Sequence, residues 1–193
     1  LGSIMMKAVL CLCIVYLARP IHSQYPACKY ILGIENFNYT VVLGKELKYD
    51  AIPNVVFFMG IKSANRVSIQ IKDKWYATVT FESHDFGQSR IDYVIDSFDG
   101  PNITETVMLN GEPRSVHNKM FVFGYKEDRY VQVYSCTPER GSLFATDYRF
   151  VLSYGDVILT EEEWKEIKSN DLKYNFKGTL MRLTNNSKSK GTS

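Results

Sequence analysis

The sequence contains few of the residue types on which enzymes and metal sites depend. Its 193 residues include three histidines and four cysteines. The H-E-x-x-H, C-x-x-C, G-x-S-x-G and phosphate-loop motifs are absent from it. His84 and His117 both lie in polar, turn-like contexts. We therefore predict no catalytic residues, no metal site and no cofactor.

The sequence also lacks an excess of charge of one sign. It has 23 basic and 21 acidic residues. Lys7 and Arg19 lie in the leader described below, so the rest of the chain has equal numbers of basic and acidic side chains. Nucleic-acid-binding domains usually present a basic face. The charge balance predicts a mixed, solvated surface and no nucleic-acid partner.

Long hydrophobic runs are missing except at the N-terminus. Residues 8–18 are continuously apolar and follow Met5, Met6 and Lys7. This run is too short for a transmembrane helix, which needs about 20 apolar residues, but it has the features of a secretory signal peptide. We expect residues 1–4 to precede the start methionine and residues 1–23 to be a leader cleaved after Ser23, with Ala18 as the alternative cleavage site. The remaining protein is expected to be secreted, with no membrane span.

Two of the four cysteines remain once this leader is removed, namely Cys28 and Cys136. In an oxidising compartment, two cysteines most simply form one disulfide bond. A pair of free thiols is the alternative. An oxidised pair would leave no nucleophilic cysteine.

The sequence after the leader is dominated by short runs in which apolar and polar residues alternate, separated by turn signals. This pattern is typical of an all-β sandwich or barrel. Closing eight antiparallel strands into a barrel removes the exposed edges and leaves room for one small ligand. We predict strands at residues 43–51, 61–71, 75–82, 90–95, 104–109, 120–125, 130–136 and 148–153.

One segment has the features of a helix. Thr160 and Glu163 form a capping box, and Glu161 and Glu162 place further acids in the first turn, where they favour the helix dipole. Trp164, Ile167 and Leu172 are predicted to form its packed side. We expect one domain over residues 24–184 and a disordered polar tail over residues 185–193.

The strand assignment also bears on an acidic cluster between residues 92 and 99. One interpretation of this cluster, which consists of Asp92, Asp96 and Asp99, is a calcium site. Alternation places Asp92 and Asp96 on an outward face, which favours simple solvation.

Three segments resemble the arthropod lipocalins, a family that includes the bilin-binding and apolipoprotein D-like proteins. Residues 28–54 contain Asn36-Phe37-Asn38, a Gly-Lys pair and Ile52-Pro53-Asn54 in the order found in that family. Residues 120–136 resemble its late hairpin, and residues 150–153 resemble its last barrel strand. The resemblance implies an eight-stranded up-and-down antiparallel β-barrel with one C-terminal α-helix. It also implies that a bond between Cys28 and Cys136 is the first disulfide of the family.

The family pattern is not complete. Glu46 stands where the first motif, G-x-W, has tryptophan, and Tyr154 replaces the arginine that packs across that tryptophan. The second motif, T-D-Y, remains only as Gly124-Tyr125, and the second disulfide of the family is absent. We expect Glu46 either to accept a hydrogen bond from Tyr154, which we prefer, or to face the solvent, because an unpaired carboxylate in a core is costly.

The resemblance and the aromatic-rich strands together imply a carrier of a small hydrophobic ligand held inside the barrel. Retinoid, fatty acid, tetrapyrrole and biogenic amine are the ligand classes left open. The inward face of residues 120–125 is uncertain, because Phe121 and Phe123 compete with Met120 and Val122. The predicted ligand-binding residues are Trp75, Val79, Phe81, Tyr93, Phe121, Phe123, Tyr148 and Phe150.

An alternative function uses the outside of the same barrel. Salivary and venom lipocalins act by binding a host protein or by sequestering a host mediator. Long loops at residues 96–101 and 112–118 would serve such a role. We expect a monomer with glycosylation at the acceptor sites Asn38, Asn102 and Asn185.

Overall fold

The computed structural model describes residues 28, 31, 33–34, 37–55, 58–137, 147–176 and 178–183, with side chains at all of these except 115, 116 and 147. The expected leader, the polar tail and Asn185 lie outside these residues. Among the residues described, no helix is long and apolar enough to cross a membrane.

In the described part of the chain, nine β-strands and one α-helix follow a short 3₁₀ turn at Tyr39–Val41. The helix, α1, spans Glu161–Lys173. The strands are β1 (Glu46–Pro53), β2 (Ile61–Ile71), β3 (Lys74–Ser83), β4 (Gly87–Asp99), β5 (Asn102–Leu109), β6 (Glu112–Lys126), β7 (Tyr130–Cys136), β8 (Asp147–Tyr154) and β9 (Leu180–Arg182).

The first eight strands form a closed antiparallel barrel. Each strand from β2 to β8 pairs with its neighbour in sequence, and β1 closes the ring by pairing with both β8 and β2. The predicted eight-stranded up-and-down barrel with one C-terminal helix is therefore confirmed. The three-residue strand β9 was not predicted, and it pairs with the last residues of β1.

Two predicted loops are wrong, because the strands continue through them. The pairing of β4 with β5 runs as far as Asp99 and Asn102, so residues 96–101 are mostly strand. The pairing of β5 with β6 begins at Leu109 and Glu112, directly after the turn at Asn110-Gly111. Both turn residues have positive φ, 55° and 81°, as a tight two-residue hairpin requires. Continuous pairing satisfies the backbone groups that a loop would expose.

Helix α1 packs on the outside of the barrel. The capping box is confirmed, with the Thr160 hydroxyl accepting from the backbone of Glu163 and the Glu163 carboxylate accepting from the backbone of Thr160. Ile167 is buried against Tyr130 and Val151, and Trp164 packs beside them. The placement of Leu172 on the packed side was wrong, because this side chain is 71% exposed.

The disulfide between Cys28 and Cys136 is confirmed, with a Cα–Cα distance of 5.7 Å. It joins the segment before the barrel to the end of β7. Around it lies an apolar cluster outside the barrel wall, which includes Phe123, Tyr134 and Phe176. This cluster covers one side of the barrel while the interior stays separate.

Candidate ligand-binding site

The pairing register defines which side chains point into the barrel. Ala77 faces Tyr93 across β3 and β4, and both belong to the interior cluster with Ile95. Antiparallel partners lie on one face of a sheet, and alternate residues along a strand share that face. The register therefore places Val79, Phe81 and Ile91 on the inner surface as well.

One end of the barrel is closed by the 3₁₀ turn. The Tyr39 hydroxyl donates to the carbonyl oxygen of Pro101 at 2.8 Å, and the rings of Phe37 and Tyr125 meet edge to face. The closed half is densely packed, and most of its inward apolar side chains are buried. They are Val42, Leu47, Ala77, Ile95, Ile103, Val122, Val131, Val133 and Leu152. The cavity among them measures about 30 Å³, which is room for only one or two water molecules.

The other half of the barrel is open. Its larger inward side chains remain partly exposed although they project from the inner wall. Because these side chains are shielded from outside by the barrel wall, their exposed atoms border the lumen. They are Tyr49, Val79, Phe81, Ile91, Tyr93, Val107, Tyr148 and Phe150.

A buried ion pair crosses the lumen between the two halves. Arg66 on β2 binds Glu105 on β5 through both carboxylate oxygens, one of them at 3.4 Å from Nη1. The side chains are 7% and 1% exposed. Because β3 and β4 separate these strands in the wall, the pair spans the interior and forms a polar floor beneath the open half.

Two tyrosines surround this floor. The guanidinium carbon of Arg66 lies 5.8 Å from the ring centroid of Tyr93. Tyr49 lies on the same inner face, two residues along β1 from Leu47, which pairs with Arg66. Burial raises the pKa of both tyrosines. Both hydroxyls therefore keep their protons at neutral pH and are able to donate as well as accept hydrogen bonds.

Aromatic rings form part of the wall of the open half. Phe150 meets Tyr49 edge to face with centroids 5.5 Å apart, and Phe58 lies 5.0 Å from Tyr148 and 6.0 Å from Phe150. Phe58 comes from the connection between β1 and β2. An apolar wall with a few polar groups at its base is the usual composition of a small-molecule pocket.

Six of the eight predicted binding residues lie on the inner face, at two levels of the barrel. Trp75 packs against the interior cluster near the closed end, where it also borders an open cleft beside the 3₁₀ turn. The open half holds Val79, Phe81, Tyr93, Tyr148 and Phe150.

Phe121 and Phe123 point the other way, so the prediction that they line the interior is wrong. Both lie in the outer cluster, where Phe123 contacts Tyr174 and Phe176 at centroid distances of 5.5 and 5.2 Å. Met120 and Val122 take the inward positions. The segment after α1 supplies the apolar cover that makes an outward aromatic face stable here.

Arg66 and Glu105 were missed in the sequence analysis. Glu105 alternates with Ile103 and Val107, which was a signal that it shares their inward face. The sequence around Arg66 gave a weaker signal of an inward position, because the large apolar residues of β2 face outward. Val67, Ile69 and Ile71 are exposed while Ala64, Arg66 and Ser68 are buried.

Glu46 faces the solvent, which is the second of the two arrangements expected from the sequence. The preferred hydrogen bond with Tyr154 is wrong, because Leu47 takes the inward position opposite Tyr154. The carboxylate of Glu46 therefore carries no cost of burial.

The remaining polar candidates lie on outer surfaces. Asp92 accepts from the hydroxyl of Thr78 at 2.6 Å and from Nε of Arg90 at 2.8 Å. In the part of the chain that is described, no three acidic, histidine or cysteine side chains are grouped as metal ligands. Asn38 is exposed, and its side-chain oxygen caps the 3₁₀ turn. The side chain of Asn102 is half-buried.

Comparison with known proteins relates this architecture to solved structures. No protein-family model matches the chain, and no curated protein matches it. The tryptamine complex of the amine-binding protein of Rhodnius prolixus superposes with a TM-score of 0.64 at 11% identity, covering 82% of this chain and 87% of that one. The chain has the lipocalin fold.

Two further arthropod structures have the same lipocalin architecture. Insecticyanin from the tobacco hornworm Manduca sexta gives a TM-score of 0.58 at 11% identity, over 78% of this chain and 81% of its own. The cockroach allergen Per a 4 gives 0.59 at 10% identity, over 78% and 88%. At these identities the likeness concerns the fold, and the ligand of this lipocalin fold has to be argued from its own residues.

Proposed function

We propose that this protein is a secreted, divergent arthropod lipocalin that carries or scavenges a small, mostly apolar molecule in the open half of its barrel. The contrast in exposure between the two halves is the observation that carries the proposal. Most inward apolar side chains below the Arg66–Glu105 floor are buried, whereas the large inward side chains above it are partly exposed. A folded protein that leaves apolar atoms accessible inside its own barrel usually does so for a ligand.

The chemistry of the wall supports the same proposal. Phe81, Tyr148 and Phe150 offer broad apolar surfaces, and aromatic rings bury more area than any other side chains. A protein that shares the fold binds tryptamine, which supports small-molecule binding as a use of this architecture.

Filling the lumen tests the proposal. Ile91 and Val94 are both half-buried aliphatic residues of β4, but the register points Ile91 into the lumen and Val94 outward. We expect Ile91→Trp to weaken binding of the neutral fluorophore N-phenylnaphthylamine by about tenfold or more, because the larger side chain fills the lumen. A loss of about 1.4 kcal/mol in binding free energy corresponds to that factor. Val94→Trp should leave its affinity unchanged.

The fluorescence titration needs both variants to be folded, which circular dichroism checks. Absence of probe binding by the unmodified protein would refute a lumen open to small molecules. Equal binding by the two variants would place the probe outside the barrel. Native mass spectrometry of protein from its natural source would then identify the ligand directly.

A second candidate function is binding to another protein, as in salivary or venom lipocalins. It is favoured by Phe86 and Met59, which are 83% and 56% exposed on connections at the open end. The same pair of variants separates the two functions. A role that depends on the outer surface would survive Ile91→Trp.

The proposal includes secretion as a monomer after removal of residues 1–23, and no enzymatic activity. The disulfide supports an oxidising compartment, because such bonds are rare in the cytosol. Of the acceptor sites, Asn38 is the better placed for a glycan than Asn102, since its side chain is exposed.

A further inference from the structure

We infer that the Arg66–Glu105 floor makes this barrel selective for an electrically neutral ligand with a polar end group. The inference rests on the proposed function, because it concerns the ligand of the same lumen. The fold alone does not indicate whether the ligand is charged. The inference favours neutral molecules over cations and anions.

The floor has no net charge, because the positive charge of Arg66 is paired with the negative charge of Glu105. Glu105 has both carboxylate oxygens engaged by Arg66, and the two side chains are almost completely buried. Among the described charged side chains that the register places on the inner surface, only these two are buried, whereas Glu112, which pairs with Leu109 at the open end, is exposed to solvent. The floor of the lumen therefore offers neither a free carboxylate nor a free guanidinium to an incoming ion.

A charged ligand would be penalised at this floor. An ammonium group would meet a carboxylate that is already paired and a nearby guanidinium of like charge. A ligand carboxylate would have to compete with Glu105 for Arg66. Transferring an ion out of water without a partner is strongly unfavourable, so both kinds of ion lose affinity relative to a neutral molecule of the same shape.

A neutral polar group finds suitable partners at the same place. Tyr49 and Tyr93 border the open side of the floor, and each keeps a protonated hydroxyl that donates and accepts hydrogen bonds. A ligand hydroxyl, carbonyl or amide would bond there without disturbing the ion pair. The aromatic rings of Tyr148, Phe150 and Phe58 would cover its apolar remainder.

A matched series of indoles tests this selectivity. Tryptophol, tryptamine and indoleacetate share one ring system and carry a neutral, a positive and a negative end group at neutral pH. In competition against N-phenylnaphthylamine, we expect tryptophol to displace the probe at a concentration about tenfold or more below that of either ion, a free-energy difference of about 1.4 kcal/mol.

Variants of Arg66 and Glu105 test whether this ion pair causes the preference for a neutral ligand. Arg66→Gln removes the partner of Glu105 and should shift the preference toward tryptamine. Glu105→Gln frees the guanidinium and should shift the preference toward indoleacetate. The double variant restores neutrality and should again prefer tryptophol. If the single variants fail to fold, the indole series on the unmodified protein still tests the selectivity.

Failure of this inference is distinct from failure of the proposed function. Probe binding with tryptamine or indoleacetate as good a competitor as tryptophol would overturn the neutral selectivity. Probe binding that none of the three displaces would show that the floor contacts no ligand end group, and would overturn it too. Single variants with unchanged preference would remove the pair as its cause. A protein that binds no probe refutes the proposed function itself.

Discussion

Gly124 occupies a point where the barrel wall and α1 come close together. A Cβ atom at this position would overlap the side chain of Gln132 and lie 2.9 Å from Nδ2 of Asn170. Gln132 is fully buried. Its amide donates to the carbonyl oxygen of Ile167 at 3.0 Å and accepts from Asn170 at 2.7 Å. The absence of a side chain at residue 124 therefore makes room for a polar link between barrel and helix.

Gly124→Ala should lower the free energy of unfolding by about 1–3 kcal/mol, because the displaced Gln132 leaves buried polar groups without partners. Denaturant unfolding of the single variants and of Gly124→Ala combined with Gln132→Ala measures the effect. Since both changes act on one contact, the two losses should not add. Additive losses would show that the crowding at residue 124 is relieved in some other way.

Individual residues differ in how well the sequence predicted them. The disulfide followed from two cysteines, and the inward position of Tyr93 followed from its alternation with Ile91 and Ile95 along one strand. Phe121 and Phe123 defeated the same reasoning, because alternation defines two faces and does not say which one is covered from outside. Distant residues, Tyr174 and Phe176, provide that cover.

At the scale of elements, α1 depends on its first turn. Glu163 is buried, and Arg129 donates to both of its carboxylate oxygens at 2.8 Å. The hydrogen bonds from Arg129 hold the pKa of Glu163 well below its ordinary value. Because the pKa is lower in the folded protein, this contribution to stability is complete above the pKa of the unfolded chain and is lost as the pH falls through the folded value.

Thr160→Ala should lower the free energy of unfolding by about 1 kcal/mol, since it removes the side-chain cap of the helix. Thr160→Ser retains the hydroxyl and serves as the matched control. Urea unfolding at neutral pH compares the three proteins. An equal loss in both variants would attribute the effect to the methyl group of Thr160 instead of the capping hydrogen bond.

The sequence predicted the type of each strand and helix better than the residues at which it begins and ends. All eight barrel strands and the helix were anticipated, because alternation and the capping box are local signals. The length of β4 and β6 was underestimated, since charged residues such as Asp96 and Arg114 lie in segments that pairing keeps extended. Strand β9 carries three residues, and it forms only because β1 offers it an edge.

At the scale of the whole molecule, the two halves of the barrel differ in packing. The closed half holds the packed core, the outer clusters join the helix and the terminal segments to the wall, and the open half is left with accessible apolar atoms. This division explains why lipocalin motifs are replaced at the closed end with the fold intact. Leu47 and Tyr154 fill the closed end in place of the expected tryptophan and arginine.

The disulfide between Cys28 and Cys136 stabilises the molecule from outside this lumen. It closes a loop over a sequence separation of 108 residues, and a loop of that size restricts the unfolded chain strongly. We expect replacement of both cysteines by alanine to lower the free energy of unfolding by about 2–5 kcal/mol. A reducing agent should lower the stability of the unmodified protein to a similar degree and leave the double variant unaffected.

Ligand binding should respond differently to the same change. Cys136 belongs to the outer cluster with Phe123 and Tyr134, on the opposite side of the wall from the lumen. A double variant that stays folded should therefore bind N-phenylnaphthylamine with unchanged affinity. A marked loss of affinity in that variant would mean that the bond holds the open half in shape, and that stability and binding are coupled through β7.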